Sequence, residues 1–141
     1  MRLLLDANVL LDCLILEVSE APRKGSEASE MILDLCDQGI RQGLVAWHTL
    51  PIIAHYHRKQ HTADHTAAMI DDLLAMVYVP TTGHREALNW RSHQMPDFED
   101  ALQVCAAFAG KADIIITRNI SDFVGCSVRV LTPEEFLGIN P

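Results

Sequence analysis

The chain begins with MRLLLDANVLLD, residues 1–12, in which three leucines run directly into an aspartate. A short apolar run followed at once by a helical pattern is typical of a buried strand that passes into a helix. Asp6 would then stand at the carboxyl end of the strand, and a helix would cover Ala7 to Leu16. Asp6 alone has an ordinary explanation, since aspartate is a common helix N-cap. A site requires other acids at the same place.

Four more short apolar runs follow along the chain, at residues 44–47, 76–79, 113–117 and 128–132. Their β-branched content favours strands, and helical patterns lie between them, apart from an exposed loop predicted at 17–27. Strands that alternate with helices indicate a parallel sheet covered on both faces. We therefore predict a single α/β domain over residues 1–141, with three α/β/α layers and a central parallel sheet. In such folds ligands bind at the carboxyl ends of the strands.

The composition excludes some classes of protein. The 141 residues are 49% hydrophobic and carry a net charge of −8, which argues against coating nucleic acid by bulk electrostatics. The same charge is compatible with an enzyme that holds a metal ion in an acidic pocket. No apolar run approaches the roughly 20 residues of a membrane helix, and no signal-peptide pattern is seen. We expect a cytoplasmic protein that does not bind membranes.

Three distant segments bring polar side chains to the carboxyl edge of the predicted sheet. One is the end of the first strand, and another is TRNISDF, residues 117–123, after the fourth strand. The third is PDFEDAL, residues 96–102, where the helix before the fourth strand begins. A crossover helix runs antiparallel to its strands, so its first turn lies at this edge. The candidate residues are Asp6, Asp97, Asp100, Thr117, Asn119 and Asp122.

Clustered carboxylates repel one another unless a cation neutralises them. Their oxygens suit Mg²⁺ or Mn²⁺, and the matching chemistry is metal-assisted hydrolysis of a phosphodiester. Ordinary explanations remain open for each residue. Asp97 and Asp100 would each contribute about 0.3–1 kcal/mol at a helix N-terminus, while Asn119 and Asp122 suit turns.

The stretches LLLDANVLLD, DFEDALQVCAAFAGKADIIITRN and SDF together resemble the PIN-domain family, the fold of the VapC-like ribonuclease toxins of bacterial toxin–antitoxin pairs. The resemblance covers nearly the whole chain, including the closing VRVLTPEEFL. It implies the strand order 3-2-1-4-5, with the first and fourth strands side by side. It also implies an endoribonuclease dependent on Mg²⁺ or Mn²⁺, with an RNA substrate, a small antitoxin partner and, commonly, a homodimer.

The resemblance also implies roles for the candidate residues. Asp6, Asp100 and Asp122 would hold the metal ion, and Asp97 would be an additional acid near it. Asn119 would orient ligands or waters, with Thr117 supporting the site. Water would attack the phosphorus in line, without a covalent enzyme intermediate.

One departure from the family concerns the helix after the second strand, which usually carries another acid. No Asp or Glu occurs between Asp37 and Asp64, and the nearest match to the missing acid is His55. Histidine carries no negative charge and suits Mg²⁺ poorly. The alternative hypothesis is therefore a catalytically degenerate PIN-like module that binds RNA or a protein.

The same helix is unusually rich in basic or protonatable groups. His57, Arg58 and Lys59, together with Arg118, are candidate phosphate contacts for RNA. A simpler interpretation of the helical residues is a solvated helix end, where the dipole favours cations. A zinc site is also conceivable, because His57 and His61 are four residues apart.

Overall fold

The computed structural model describes residues 1–15 and 22–139. Within them, five strands form one sheet in the order β3-β2-β1-β4-β5, and every neighbouring pair is parallel. This confirms the predicted α/β fold and strand order. The strands are β1 Arg2–Leu5, β2 Gln42–Leu44, β3 Val77–Tyr78, β4 Ile114–Ile116 and β5 Arg129–Leu131.

Helices connect the strands along the chain. The first ends at Leu14, before the Leu16 of the prediction, which lies outside the described residues. Residues 17–21 of the predicted loop also lie outside them, residues 22–25 precede the second helix, and the last two residues of the predicted loop belong to that helix instead. No helix in the described part of the chain is long and apolar enough to cross a membrane. The α-helices are α1 Ala7–Leu14, α2 Ser26–Asp37, α3 Thr49–His57, α4 Ala63–Met76, α5 His84–Leu88, α6 Phe98–Ala109 and α7 Pro133–Ile139, and short 3-10 helices cover Trp90–His93 and Ile120–Phe123.

The sheet separates two hydrophobic clusters. Leu3 and Leu5 of β1 enter one cluster, whereas Leu4 enters the other, and all three are fully buried. Successive strand residues point to opposite faces, so a strand covered on both faces is apolar at every position. This explains the continuous leucine run that precedes Asp6.

Hydrogen bonding aligns the ends of the two central strands. The Asp6 backbone N–H donates to the Ile116 carbonyl at 3.0 Å, directly after the Leu5–Ile116 pair. In turn, the Thr117 N–H donates to the Leu131 carbonyl of β5 at 3.0 Å. The residues that follow β1 and β4 therefore lie side by side at one edge.

The packing of α2 against β2 and β3 leaves no room for a side chain at Gly43. A Cβ there would come within 2.9 Å of both Cys36 Sγ and Val77 Cγ1. We expect Gly43→Ala to lower the free energy of unfolding by about 1–3 kcal/mol, measured by chemical denaturation. Gly138→Ala is the control, because a Cβ in that part of α7 meets nothing within 4 Å. The control should be neutral or stabilising by up to about 1 kcal/mol, and equal losses in both variants would contradict this account of the packing.

Candidate active site

Asp6 is held by four donors from three parts of the chain. Its Oδ1 accepts from the Ala7 N–H at 2.7 Å and from Gln103 Nε2 at 3.1 Å. Its Oδ2 accepts from Thr117 Oγ1 at 2.8 Å and from Asn8 Nδ2 at 3.0 Å. The side chain is the N-cap of α1, as the ordinary explanation expects, but the other three donors come from side chains. Asp6 therefore has a fixed orientation.

Burial makes Asp6 electrostatically unusual. The residue is only 7% exposed, and desolvation raises its pKa above the ordinary value, with a further increase from the nearby charge of Glu99. The hydrogen bonds from Thr117 and Asn8 favour the ionised form and oppose that rise. The site thus holds a carboxylate that gains from a nearby cation.

The first turn of α6 brings three more acids to this edge. Asp97 is exposed and caps the helix, its Oδ1 accepting from the Asp100 N–H at 3.1 Å. One carboxylate oxygen from each of Asp97, Glu99 and Asp100 lies within 4.8 Å of the others. Burial raises the pKa of Asp100 to about 7, and the charges of Glu99, Asp97, Asp122 and Asp6 add to the rise. The ionised form of this carboxyl group is thus disfavoured by burial and by the acids around it.

A cleft of about 450 Å³ joins these residues. Four of the six sequence candidates at this edge line it, while Thr117 is buried and supports Asp6, and Asp97 is outside the lining. Its wall is partly apolar, with side chains from α1 and α3. The lining consists of Asp6, Ala7, Asn8, Leu11, Ile15, Arg23, Ile52, Tyr56, Glu99, Asp100, Asn119 and Asp122.

Glu99 is the acid of the cleft that the sequence reasoning did not single out. His48 Nε2 lies 2.8 Å from its Oε1, and this hydrogen bond lowers the pKa of Glu99. Gln103 Nε2, one turn further along α6, also donates to Glu99 Oε1 at 3.1 Å and so links Glu99 to Asp6. The available signal was the i, i+4 spacing of Glu99 and Gln103, which places both on one helix face.

His55 does not reach the cleft. Its side chain is exposed and packs edge-on against the Tyr56 ring. From α3 the cleft takes Ile52 and Tyr56, which are four residues apart and share a face. The supporting role predicted for His55 therefore requires correction, because the helix starts at Thr49 and its phase turns His55 away.

The candidate RNA contacts near the end of α3 differ in accessibility. His57 is only 3% exposed, and its Nδ1 lies 2.8 Å from Thr66 Oγ1, so it cannot present a phosphate-binding surface. Arg58 is exposed and donates to the His61 carbonyl at 2.7 Å, while Lys59 is exposed and lies over the Tyr56 ring at 4.7 Å. Arg58 and Lys59, which directly follow α3, therefore remain candidate phosphate contacts, whereas His57 does not.

Arg118 belongs to an internal ion-pair network rather than to an open surface. Its Nε donates to the buried carboxylate of Asp12 at 2.8 Å, and its other nitrogens donate to Glu134, Ser29 and the Gly25 carbonyl. Breaking a buried ion pair leaves an uncompensated charge and costs about 3–5 kcal/mol. The predicted RNA contact is thus replaced by a structural role, which joins the end of β4 to α1, α2 and α7.

Comparison with known proteins identifies the family. The family model described as PIN domain matches residues 2–121. The chain belongs to the PIN-domain family. No curated protein matches it.

Solved structures show the same fold at low sequence identity. The chain is similar to VapBC2 from Rickettsia felis bound to a DNA fragment from their promoter, with a TM-score of 0.68, 13% identity and coverage of 94% of this chain and 98% of that chain. The chain is also similar to VapBC-1 from nontypeable Haemophilus influenzae, with a TM-score of 0.67, 15% identity and coverage of 95% of this chain and 99% of that chain. A third similar structure is FitAcB from Neisseria gonorrhoeae, with a TM-score of 0.63, 16% identity and coverage of 94% of this chain and 98% of that chain. These likenesses show the fold alone.

The raised pKa of Asp100 predicts how the stability of metal-free protein changes with pH. Because the folded-state value of about 7 exceeds the ordinary 3.8, the stability due to this group is fully present below pH 3.8 and is lost as the pH rises through 7. In EDTA, Asp100→Asn should therefore gain melting temperature relative to wild type between about pH 5 and 8.5. After discounting for partial exposure, we expect a relative gain of about 2–4 °C.

Asp71→Asn on α4 is the control, since Asp71 is exposed and does not line the cleft. Its melting temperature should follow that of the wild type at every pH. A constant difference between Asp100→Asn and wild type across the pH range would contradict the raised pKa of Asp100.

Proposed function

We propose that the chain, as a single PIN-like domain, is a divalent-metal-dependent endoribonuclease that hydrolyses RNA phosphodiester bonds. PIN domains are generally nucleases that use divalent metal ions. The observation that carries the proposal is the convergence of four acids from β1, α6 and the turn after β4 on one cleft: Asp6, Glu99, Asp100 and Asp122.

The donor set fits a hard divalent cation. Its groups are carboxylate and amide oxygens, which Mg²⁺ and Mn²⁺ prefer. Burial and then the charges of the neighbouring acids raise the pKa of Asp100, and a bound cation would favour its ionised form. Asp6, Asp100 and Asp122 would hold the ion, with Asn119 orienting ligands or waters. Bound there, the ion would polarise a phosphoryl oxygen and lower the pKa of a coordinated water.

The residues of the chain supply the orientation. Thr117 and Gln103 hold opposite oxygens of the Asp6 carboxylate, so that group is positioned before any ligand arrives. Glu99 takes the place of the acid missing from α3, because it lies in the cleft and shares Gln103 with Asp6. The hydrogen bond from His48 keeps Glu99 ionised by lowering its pKa. Asp97 acts mainly as the cap that starts α6 at the right residue.

The proposal extends to partners and location. The similar structures include VapBC2 and VapBC-1, which supports a small antitoxin as the partner of this chain. The apolar wall formed by Leu11, Ile15 and Ile52 offers such a partner a surface beside the acids. We therefore propose that the chain is the toxin of such a pair and that it acts in the cytoplasm, where its RNA substrates are found. We expect it to form a homodimer.

The test is cleavage of a mixed-sequence single-stranded RNA in Mn²⁺, Mg²⁺ or EDTA. Wild-type protein should cut with either metal and not in EDTA. Asp6→Asn should lower the rate at least about 100-fold, because loss of a ligand should exceed the roughly 10–100-fold effect of losing an outer partner. Asp71→Asn should cut like the wild type. Wild-type protein that neither cuts RNA nor binds Mn²⁺ in a calorimetric titration would overturn the proposal.

A second candidate function is a degenerate PIN-like module that binds RNA or protein without cutting. The observation in its favour is that α3 faces the cleft with Ile52 and Tyr56, where the family usually carries an acid. Ile52→Glu would place a carboxylate there. A gain of metal-dependent cleavage in this variant, from a wild type with little activity, would indicate a degenerate site.

We expect the opposite result, in which Ile52→Glu cuts no faster than wild type because Glu99 already completes the acidic set. His55→Glu is the matched control, since it adds the same charge to the same helix outside the cleft. A gain of activity in Ile52→Glu, with none in His55→Glu, would contradict the role proposed for Glu99.

A further inference from the structure

Three histidines meet where α3 passes into α4, apart from the residues that line the acidic cleft. One ring nitrogen from each of His57, His61 and His65 lies within 4.8 Å of the others. The rings of His57 and His61 are stacked with centroids 4.0 Å apart, and that of His65 stands edge-on to His61 at 4.5 Å. Their exposure grades outward from buried His57 through half-buried His61 to exposed His65. The cluster is thus anchored in the core and open to solvent.

The innermost ring has an oxygen partner at one of its two nitrogens. His57 Nδ1 shares a hydrogen bond of 2.8 Å with Thr66 Oγ1, and both residues are buried. This bond fixes the ring and leaves Nε2 as the free nitrogen. Metal-binding histidines almost always engage their second nitrogen in such a bond, which sets the tautomer and the orientation.

We propose that His57, His61 and His65 form a second metal site, which binds a borderline divalent transition metal such as Zn²⁺. Zinc takes nitrogen ligands at about 2.0–2.1 Å in a tetrahedron, so its ligands lie about 3.4 Å apart. Because the rings of His57 and His61 are stacked at an interplanar angle of 20°, tetrahedral binding requires the rings of His61 and His65 to turn about their side-chain bonds until their nitrogens face that of His57. Solvent at the exposed side supplies the fourth ligand. Imidazole nitrogen selects zinc, whereas the oxygens of the cleft select Mg²⁺ or Mn²⁺.

The surrounding charges do not prevent this binding. The two nearby cations are Arg58, which donates to the His61 carbonyl, and Lys59, which lies over the Tyr56 ring. His57 is the last residue of α3, where the helix dipole favours a cation. His65 lies in the first turn of α4, where the dipole opposes a cation, so the proposed ion would depend on its nitrogen ligands while tying the two helices together. Because α3 also supplies Ile52 and Tyr56, the ion would brace one wall of the cleft.

The experiment titrates Zn²⁺ and Co²⁺ into metal-free protein from which any polyhistidine tag has been removed, with excess Mg²⁺ present to occupy the acidic cleft. Calorimetry measures zinc stoichiometry and affinity, and visible absorption reports tetrahedral Co²⁺. We expect one zinc equivalent and Co²⁺ bands in the wild type. His61→Gln and His65→Gln should each weaken zinc binding more than about 100-fold and remove the bands, whereas Thr66→Val should weaken it about 10–100-fold.

The controls separate this site from other histidines and from the cleft. His84→Gln removes an exposed histidine outside the cluster and should bind like the wild type. Asp6→Asn should still bind one equivalent of zinc, because the three histidines that would bind the ion are unchanged. His57 is buried and its loss could unfold the chain, so the two accessible histidines carry the test. Unchanged zinc affinity in both His61→Gln and His65→Gln would overturn the proposal, and so would a wild type without tetrahedral Co²⁺ bands. Neither result depends on ribonuclease activity.

Discussion

The structure depends on burying one carboxylate at the end of the central strand. An ionised acid removed from water is strongly destabilising unless hydrogen bonds or charges compensate. Asp6 obtains that compensation from four donors, which belong to the start of α1, the end of β4 and the middle of α6. The three segments are far apart in the chain, and they meet at this edge because each supplies part of what one side chain needs. The position of the cleft follows from this requirement.

The acids of the cleft occupy two different electrostatic environments. Glu99 is paired with His48, and its pKa is lowered by that hydrogen bond. Asp100 is one residue further along α6, yet burial and the charges around it raise its pKa to about 7. The opposite pKa shifts of these neighbouring acids favour the ionised form of Glu99 and the protonated form of Asp100, and a cation at the proposed metal site would displace the proton of Asp100. Ionised Asp100 lowers the stability of the metal-free protein, and such local destabilisation is common at functional sites.

The sequence predicted features that depend on strand periodicity and on the ends of elements. The leucine run before Asp6, the parallel sheet and its order all follow from apolar runs and the family resemblance. The sequence did not predict correctly the direction in which some side chains face. The direction of His55 depends on α3 starting at Thr49, and a shift of one residue turns a helix by about 100°. Arg118 and His57 were misread for a related reason, since their partners Asp12 and Thr66 become neighbours only after folding.

Helix α3 lies between the two proposed metal sites. Ile52 and Tyr56 on one face form a wall of the acidic cleft, and His57 at its end enters the core beside Thr66. A metal ion at the histidines would act on the cleft through the position of this helix, without contact with the acids. Coupling of that kind requires the ion to bind one position of α3 more tightly than another. His57 would provide this difference, because its ring is buried and lies 2.8 Å from Thr66 Oγ1, so a tilt of α3 would move the ring relative to His61 and His65.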